Sequence, residues 1–232
     1  TATVDVLAAV LPELVAMKGF EQRTPYHIYD VLEHTARVLD GVPPYPLVRW
    51  AALFHDMGKP AAFFTDEDGT GHFYGHAAIS VMLARGIMGR LALSSAFAAQ
   101  VLTLVERHDD VTDRTPKAVK RALSRLGGNV ELFAALCDLK RGDARGQAPR
   151  CIDRVSDADE LERILSEILA ADEAFSLKKL AIDGRDVIEL GVPQGPLVGL
   201  ALSDALDAVM DERIDNKACA LRAFIEEWRA EH

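Results

Sequence analysis

Four of the seven histidines, His34, His55, His76 and His108, fall on expected helices or at their ends. His108 follows Val101, Leu104 and Val105 by seven, four and three residues. His34 stands three after Val31 and four before Val38, and His55 three after Ala52 and seven after Val48. Residues at these spacings share a helix face, so the imidazoles continue apolar stripes and point inward. A single inward histidine is most simply a hydrogen-bonded core residue. Several near one another are costly unless something shares their lone pairs, which a divalent cation does while carboxylates balance its charge.

Two carboxylates are placed to do so: Asp56, adjacent to His55, and Asp143, seven after Leu136 and four after Leu139. Neighbours on a helix diverge by about 100°, so His55 and Asp56 share an ion only if it lies between their directions, which suits a pair of ions. A mixed nitrogen and oxygen set favours Mn, Fe, Co, Ni or Zn over Ca, with Mg also a candidate, one or two ions in number. His27 and His72 occupy loop positions that do not aim them at this cluster, and His232 is the last residue.

The elements that must carry these groups are helical. Apolar residues return at spacings of three and four with no convincing alternation, which predicts an all-α fold. Helices are expected near 3–18, 28–40, 46–58, 76–90, 94–108, 116–126, 130–142, 156–171, 196–211 and 216–230. Thr65 to Gly75, with three glycines and three acids, reads as an exposed loop, and Gly127-Gly128 as a helix end. Glycines and prolines over 173–196 mark a change of unit: a domain over 1–172 and a helical extension over 173–232.

The 26 basic and 36 acidic residues give a formal charge of −10, so the whole molecule repels phosphate backbones at long range. Residues 114–125 run the other way, with Arg114, Lys117, Lys120, Arg121 and Arg125 and no acid. Lys117, Lys120 and Arg121 could bind RNA or phosphate, or form a solvated helix face. No aromatics interleave with them for base stacking. Cys137, Cys151 and Cys219 are scattered and lack paired spacing, so a reducing cytoplasm is the expected compartment, and no apolar stretch is long enough for a membrane span. The chain opens at Thr1 without an initiator methionine, as a processed product or a piece of something longer would.

His34, then His55-Asp56, then a distant Asp143 resembles the H…HD…D signature of HD-domain metal-dependent phosphohydrolases. Ala52-Leu53-Phe54-His55-Asp56-Met57-Gly58-Lys59-Pro60 is similar to that family's most characteristic segment, and His76 and His108 fall where its di-metal members add ligands. The resemblance implies a helical bundle with His34, His55, Asp56, His76, His108 and Asp143 as metal ligands. Asp143 is preferred to Asp138 because Gly142-Asp143-Ala144-Arg145-Gly146-Gln147 resembles the family's Ala-Asp-x-x-(Ala or Gly)-Gln. Tyr26-His27-Ile28-Tyr29-Asp30-Val31-Leu32-Glu33-His34-Thr35, His72-Phe73-Tyr74-Gly75-His76 and the region from Phe175 to Val187 resemble bacterial class II CCA-adding tRNA nucleotidyltransferases. Those enzymes transfer nucleotides with a head carrying a glycine-serine loop followed by a paired Asp-x-Asp motif, a combination absent from these 232 residues.

The resemblance implies hydrolysis of phosphomonoesters or phosphodiesters of nucleotides or RNA 3′ ends, such as 2′,3′-cyclic phosphates, by hydroxide formed at the metal. Asp56 would bridge ions or orient the water. Lys59 would offset charge on the phosphate, or be only a cation suited to a helix end. Glu106 and Asp109 stand where they could orient His108. The alternative is a tRNA-binding module with little hydrolysis.

Overall fold

The computed structural model describes residues 9–170 and 180–231, and these are all-α apart from one two-stranded ribbon. In chain order the helices are α1 (Val31–Gly41), α2 (Pro46–Phe54), α3 (Lys59–Ala62), α4 (His76–Arg90), α5 (Ser95–Arg107), α6 (Pro116–Arg125), α7 (Val130–Gly146), α8 (Asp153–Ala170), α9 (Gly184–Glu189), α10 (Pro196–Met210) and α11 (Ala218–Glu231). Caps written in the sequence start several of them. Asp30 accepts the Glu33 N–H at 2.7 Å ahead of α1, and Ser94 and Thr115 do the same for α5 and α6. Pro46, Pro116 and Pro196 supply first turns that need no N–H.

Three elements differ from the expected pattern. Instead of one helix over 3–18, the described part holds a 3₁₀ turn, Pro12–Met17, because Pro12 cannot donate and its ring crowds the preceding turn. Residues 3–8 of that expected helix lie outside the described residues. The expected helix over 46–58 stops at Phe54, and residues 55–58 form a tight turn closed by Met57 N–H to Phe54 O and Lys59 N–H to Asp56 O. The glycine-rich loop holds two strands, β1 (Phe64–Thr65) and β2 (Gly71–His72), antiparallel with Phe64 opposite His72. They are too short to show alternation.

Two compact units form. One comprises the described residues up to Val111 together with Glu131–Glu162, and the other Thr112–Val130 with the described residues from Arg163 onward. The core of the first includes Val31, Val38, Val48, Phe54, Ile87, Val101, Leu104 and Leu139, all without solvent exposure. The second packs Leu180, Ile182, Val187, Leu206, Leu221, Ile225 and Trp228 around α9, α10 and α11. α9 is capped by a reciprocal pair, Asp183 accepting the Asp186 N–H while Asp186 accepts the Asp183 N–H. The expected boundary between 172 and 173 lies outside the described residues, as do Phe175–Lys179 of the quoted segment and His232.

Candidate metal centre

Two close backbone approaches build the centre. The first joins α1 to α7. A Cβ on Gly142 would stand 2.4 Å from Val42 Cγ1, and one on Gly146 would stand 2.9 Å from Val38 Cγ2 and 3.2 Å from His34 Nδ1. Spaced by four, these glycines share the α7 face that touches α1, and Asp143 between them reaches His34. The second joins the turn after α2 to the first turn of α4: Gly58 leaves no room for a Cβ against the His76 carbonyl, and its N–H donates to Ser80 Oγ at 2.8 Å.

Each imidazole is then fixed by a backbone carbonyl. Nδ1–H donates from His34 to Gly146 O (3.0 Å), from His55 to Ala52 O (2.8 Å), from His76 to Phe73 O (3.0 Å) and from His108 to Val105 O (2.7 Å). A carbonyl only accepts, so each neutral ring carries its proton on Nδ1 and turns a bare Nε2 lone pair inward. Those nitrogens meet in pairs, His34 with His55 at 3.2 Å and His76 with His108 at 3.1 Å. Lone pairs so placed repel unless a Lewis acid lies between them. All four histidines are buried.

The Asp56 carboxylate divides between the pairs. Oδ2 lies 3.2 Å from His34 Nε2 and 3.2 Å from His55 Nε2, while Oδ1 lies 3.3 Å from His76 Nε2 and 3.7 Å from His108 Nε2. Asp143 Oδ1 adds a donor 3.0 Å from His34 Nε2 and 3.8 Å from His55 Nε2. Oδ2 of Asp56 is buried and, despite these near neighbours, has no partner in hydrogen-bonding geometry. Two ligands about 2.1 Å from one ion lie about 3.0–3.4 Å apart for right-angled to tetrahedral arrangements. Most of the observed separations fall in that range, so the residues fit one or two divalent ions: His34, His55 and Asp143 in one group, Asp56, His76 and His108 in another, each within 4.8 Å.

Electrostatics point the same way. Burial opposes a proton on His34, but the close Asp143 and Asp56 carboxylates outweigh burial and raise its pKa to about 9. His108 is raised against burial chiefly by Asp56. Asp56, against burial, is held well below the usual carboxylate range by His55 and Lys59, and Asp143 is lowered by His34. Two ionised carboxylates thus demand positive charge among the imidazoles, from protons or from metal.

Around the centre lies a cavity of about 550 Å³, lined among others by Tyr26, Lys59, Tyr74, Asp109, Gln147 and Arg154. Lys59 is buried, with Nζ 2.7 Å from Asp56 Oδ2 and donating to Gln22 Oε1 at 2.8 Å and His27 Nε2 at 3.3 Å. His27 is kept neutral by burial and by Lys59, its pKa lowered to about 3, so this loop histidine supports Lys59 from behind. His72 pairs instead with Asp66 at 2.7 Å. The His108 ring is fixed by its hydrogen bond to the Val105 carbonyl, while Asp109 stands near both rings, Oδ1 3.7 Å from His108 Nε2 and Oδ2 3.4 Å from His76 Nε2.

Four supporting groups lay beyond spacing arguments or were left without a role. Gln147 donates to Asp143 Oδ2 at 2.8 Å and accepts from Arg154 at 2.7 Å; only the motif around Asp143 flagged it. Gln22 and Lys140 gave no signal. The Lys140 ammonium ties the end of α5 by donating to the His108 and Asp110 carbonyls at 2.7 and 2.8 Å. Asp138 accepts from Tyr45 Oη and Arg141, turned to other partners. Lys117, Lys120 and Arg121 lie on α6 in the second unit, where Arg121 and Lys117 pair with Asp211. No helix among the described residues is long and apolar enough to cross a membrane.

The chain is 33% identical over 97% of its length to the CC-adding tRNA nucleotidyltransferase of Thermus thermophilus, covering 51% of that protein. It is 30% identical over 97% to the A-adding tRNA nucleotidyltransferase of Deinococcus radiodurans, covering 52%, and 28% identical over 82% to the multifunctional CCA protein of Burkholderia mallei, covering 43%. The chain thus spans about half the length of the curated relatives it matches. The HD domain family matches residues 25–164, a stretch that holds all six residues of the imidazole and carboxylate cluster, and the chain belongs to that family.

Proposed function

We propose that the chain is a metal-dependent phosphohydrolase acting on phosphomonoesters or phosphodiesters of nucleotides or RNA ends, 2′,3′-cyclic phosphates among them. The observation that carries this reading is the pairing of bare Nε2 atoms across the two oxygens of Asp56. Divalent metal held by His34, His55, Asp56, His76, His108 and Asp143 would lower the pKa of water and offset charge on a phosphate. Asp56 orients both donor groups, and Lys59 steadies it from behind. The cavity admits the ester, and Arg154 offers it a cation on the opposite side of Gln147. In this reading the hydrolase is the domain over 1–172 and residues 173–232 extend it.

The test is elemental analysis of the purified chain with parallel assays on 2′,3′-cyclic nucleotides in Mg, Mn, Co and Ni. Stoichiometric metal and turnover, both lost in Asp56→Asn with an unchanged circular dichroism spectrum, are expected. Because His55→Ala opens a cavity in the core, the near-isosteric asparagine at position 56 carries the decision. A folded Asp56→Asn chain with full turnover overturns the proposal.

A second reading rests on the relatives, whose names all concern tRNA or CCA, and on the basic run of α6. In it the chain is a tRNA-binding module, with Lys117, Lys120 and Arg121 on the backbone. The Asp211 pairs leave this face less positive than its sequence. Absence of metal and turnover, with tRNA binding weakened by salt, would favour it.

A further inference from the structure

Beside the cavity, the ribbon and the residues just past it carry a cluster of three aromatic rings, Phe64, His72 and Tyr74, with every pair of centroids within 5.7 Å. Phe64 stacks on His72 at 5.3 Å between centroids and 27° between planes, and His72 stacks on Tyr74 at 5.6 Å and 22°. Cross-strand pairing explains the first contact, since Phe64 stands opposite His72 in the ladder. It does not explain Tyr74, which lies beyond the paired strand and is 78% exposed. An aromatic ring left in water adds little to folding, and there it is set parallel to its neighbour. Asp66 holds the His72 ring of the cluster through Nε2 at 2.7 Å, and accepts the Asp68 and Thr70 N–H groups, so the hairpin turn fixes the ring.

Position relates the cluster to the centre. His72, Phe73, Tyr74 and Gly75 line the same cavity as Asp56, His76, His108 and Asp143. Tyr74 precedes His76 by two residues, at most about 7 Å of extended chain. A molecule with phosphate at the imidazoles therefore reaches Tyr74 within the size of one nucleotide. Phe64 is also half exposed at 47% and stands 5.7 Å from Tyr74, so the cluster presents two adjacent exposed rings. Stacking on such a face is sequence-tolerant, because every base offers a π surface, and is stronger for the larger purines.

We propose that the Phe64–His72–Tyr74 cluster, through the exposed ring of Tyr74, is a base-stacking shelf, so the site prefers phosphate esters of nucleosides, purines above pyrimidines, to esters of simple alcohols. This deepens the hydrolase reading and rests on it. The experiment compares adenosine 2′-phosphate, a short RNA ending in the same group, and glycerol 2-phosphate in Mn for the unsubstituted chain, Tyr74→Ala and Tyr74→Phe. Tyr74→Ala is expected to raise KM for the adenosine ester about tenfold relative to glycerol 2-phosphate, with Tyr74→Phe restoring the preference. The RNA arm shows whether a free nucleotide or a chain end gains more from the shelf. Equal changes for adenosine and glycerol esters, or no change for either, overturn the shelf. If the unsubstituted chain turns over none of them, the hydrolase reading fails instead. Calorimetric binding of adenosine 2′-phosphate then decides the shelf alone, with unchanged affinity in Tyr74→Ala overturning it.

Discussion

Replacing Gly58 by alanine tests whether the turn that carries His55 and Asp56 is held against α4 by the absence of a side chain. A Cβ there would stand 2.2 Å from the His76 carbonyl oxygen, 2.8 Å from Ser80 N and 2.9 Å from Ile79 Cβ. Ordinary contact begins at 3.4 Å, so turn and helix must part by 3.4 − 2.2, roughly 1.2 Å, with backbone on one side that cannot rotate away. Overpacking costs about 1–3 kcal/mol. The backbone at Gly58, φ −79° and ψ −13°, is open to alanine, so a stiffer unfolded chain returns about 0.4–1 kcal/mol. The expected net is destabilisation by about 1–2 kcal/mol, roughly 2–8 °C in Tm for a chain of this size. The same displacement moves Asp56 Oδ1 from 3.3 Å to roughly 4.5 Å from His76 Nε2, and two ligands about 2.1 Å from one ion cannot lie more than about 4.2 Å apart. Metal affinity at the His76 and His108 side should then fall at least tenfold. Gly86→Ala, in α4 with nothing within 4 Å of its Cβ, is the control, and helix propensity predicts stabilisation by about 0.5–1 kcal/mol. Thermal unfolding and calorimetric titration with Mn read both. A Gly58→Ala chain that melts with the parent and binds Mn equally well would refute the reasoning.

Gln147→Leu removes the donor to Asp143 Oδ2, leaving that carboxylate free to turn from His34; metal affinity is expected to drop about tenfold by calorimetry, while an unchanged titration would deny Gln147 a positioning role. For metal-stripped protein, the His34 pKa of about 9 in the folded state, above its ordinary 6.5, means that the stability it adds is fully present below pH 6.5 and is lost as pH rises to about 9. At about 1.36 kcal/mol per unit this is about 3 kcal/mol between those limits, to be read from urea midpoints at pH 6 and 9.5. Midpoints that do not fall across that window would contradict it. Because metal takes the place of that proton, Mn affinity should rise over the same window.

Helix spacing was a sound guide to which imidazoles point inward, because burial enforces it. His34, His55 and His108 could continue apolar stripes only by pointing into the core, and that is where they point. The same rule misjudged the end of α2. A helix through residue 58 would splay His55 and Asp56 about 100° apart, whereas a tight turn follows Phe54 and brings Asp56 Oδ2 within 3.2 Å of His55 Nε2. What ends the helix there is the contact of Gly58 with α4, a tertiary cause without local signature. The capping pair at Asp183 and Asp186 is a local signature that periodicity overlooked, since a helix of six residues offers less than two turns of pattern. Gln22 and Lys140 had no signal, because their roles depend on which carbonyl or ammonium the fold delivers to them.

If the chain is a hydrolase, charge around the cavity constrains how it takes up phosphate. Its lining includes five carboxylates, Asp56, Glu106, Asp109, Asp110 and Asp143, against two cations, Lys59 and Arg154. With neutral histidines this wall carries three net negative charges, inside a chain whose total is −10. Lys59 does not correct it for the substrate, since its ammonium is already directed at Asp56, Gln22 and His27. That leaves Arg154, which also donates to Gln147 and so to the Asp143 side of the centre. A phosphate dianion approaching the protein alone meets repulsion that one guanidinium cannot offset at such short range. One divalent ion reduces the wall to a single negative charge, and a second makes it positive. In the hydrolase reading, metal therefore precedes substrate, and the acidic wall is what makes phosphate binding conditional on the loaded centre.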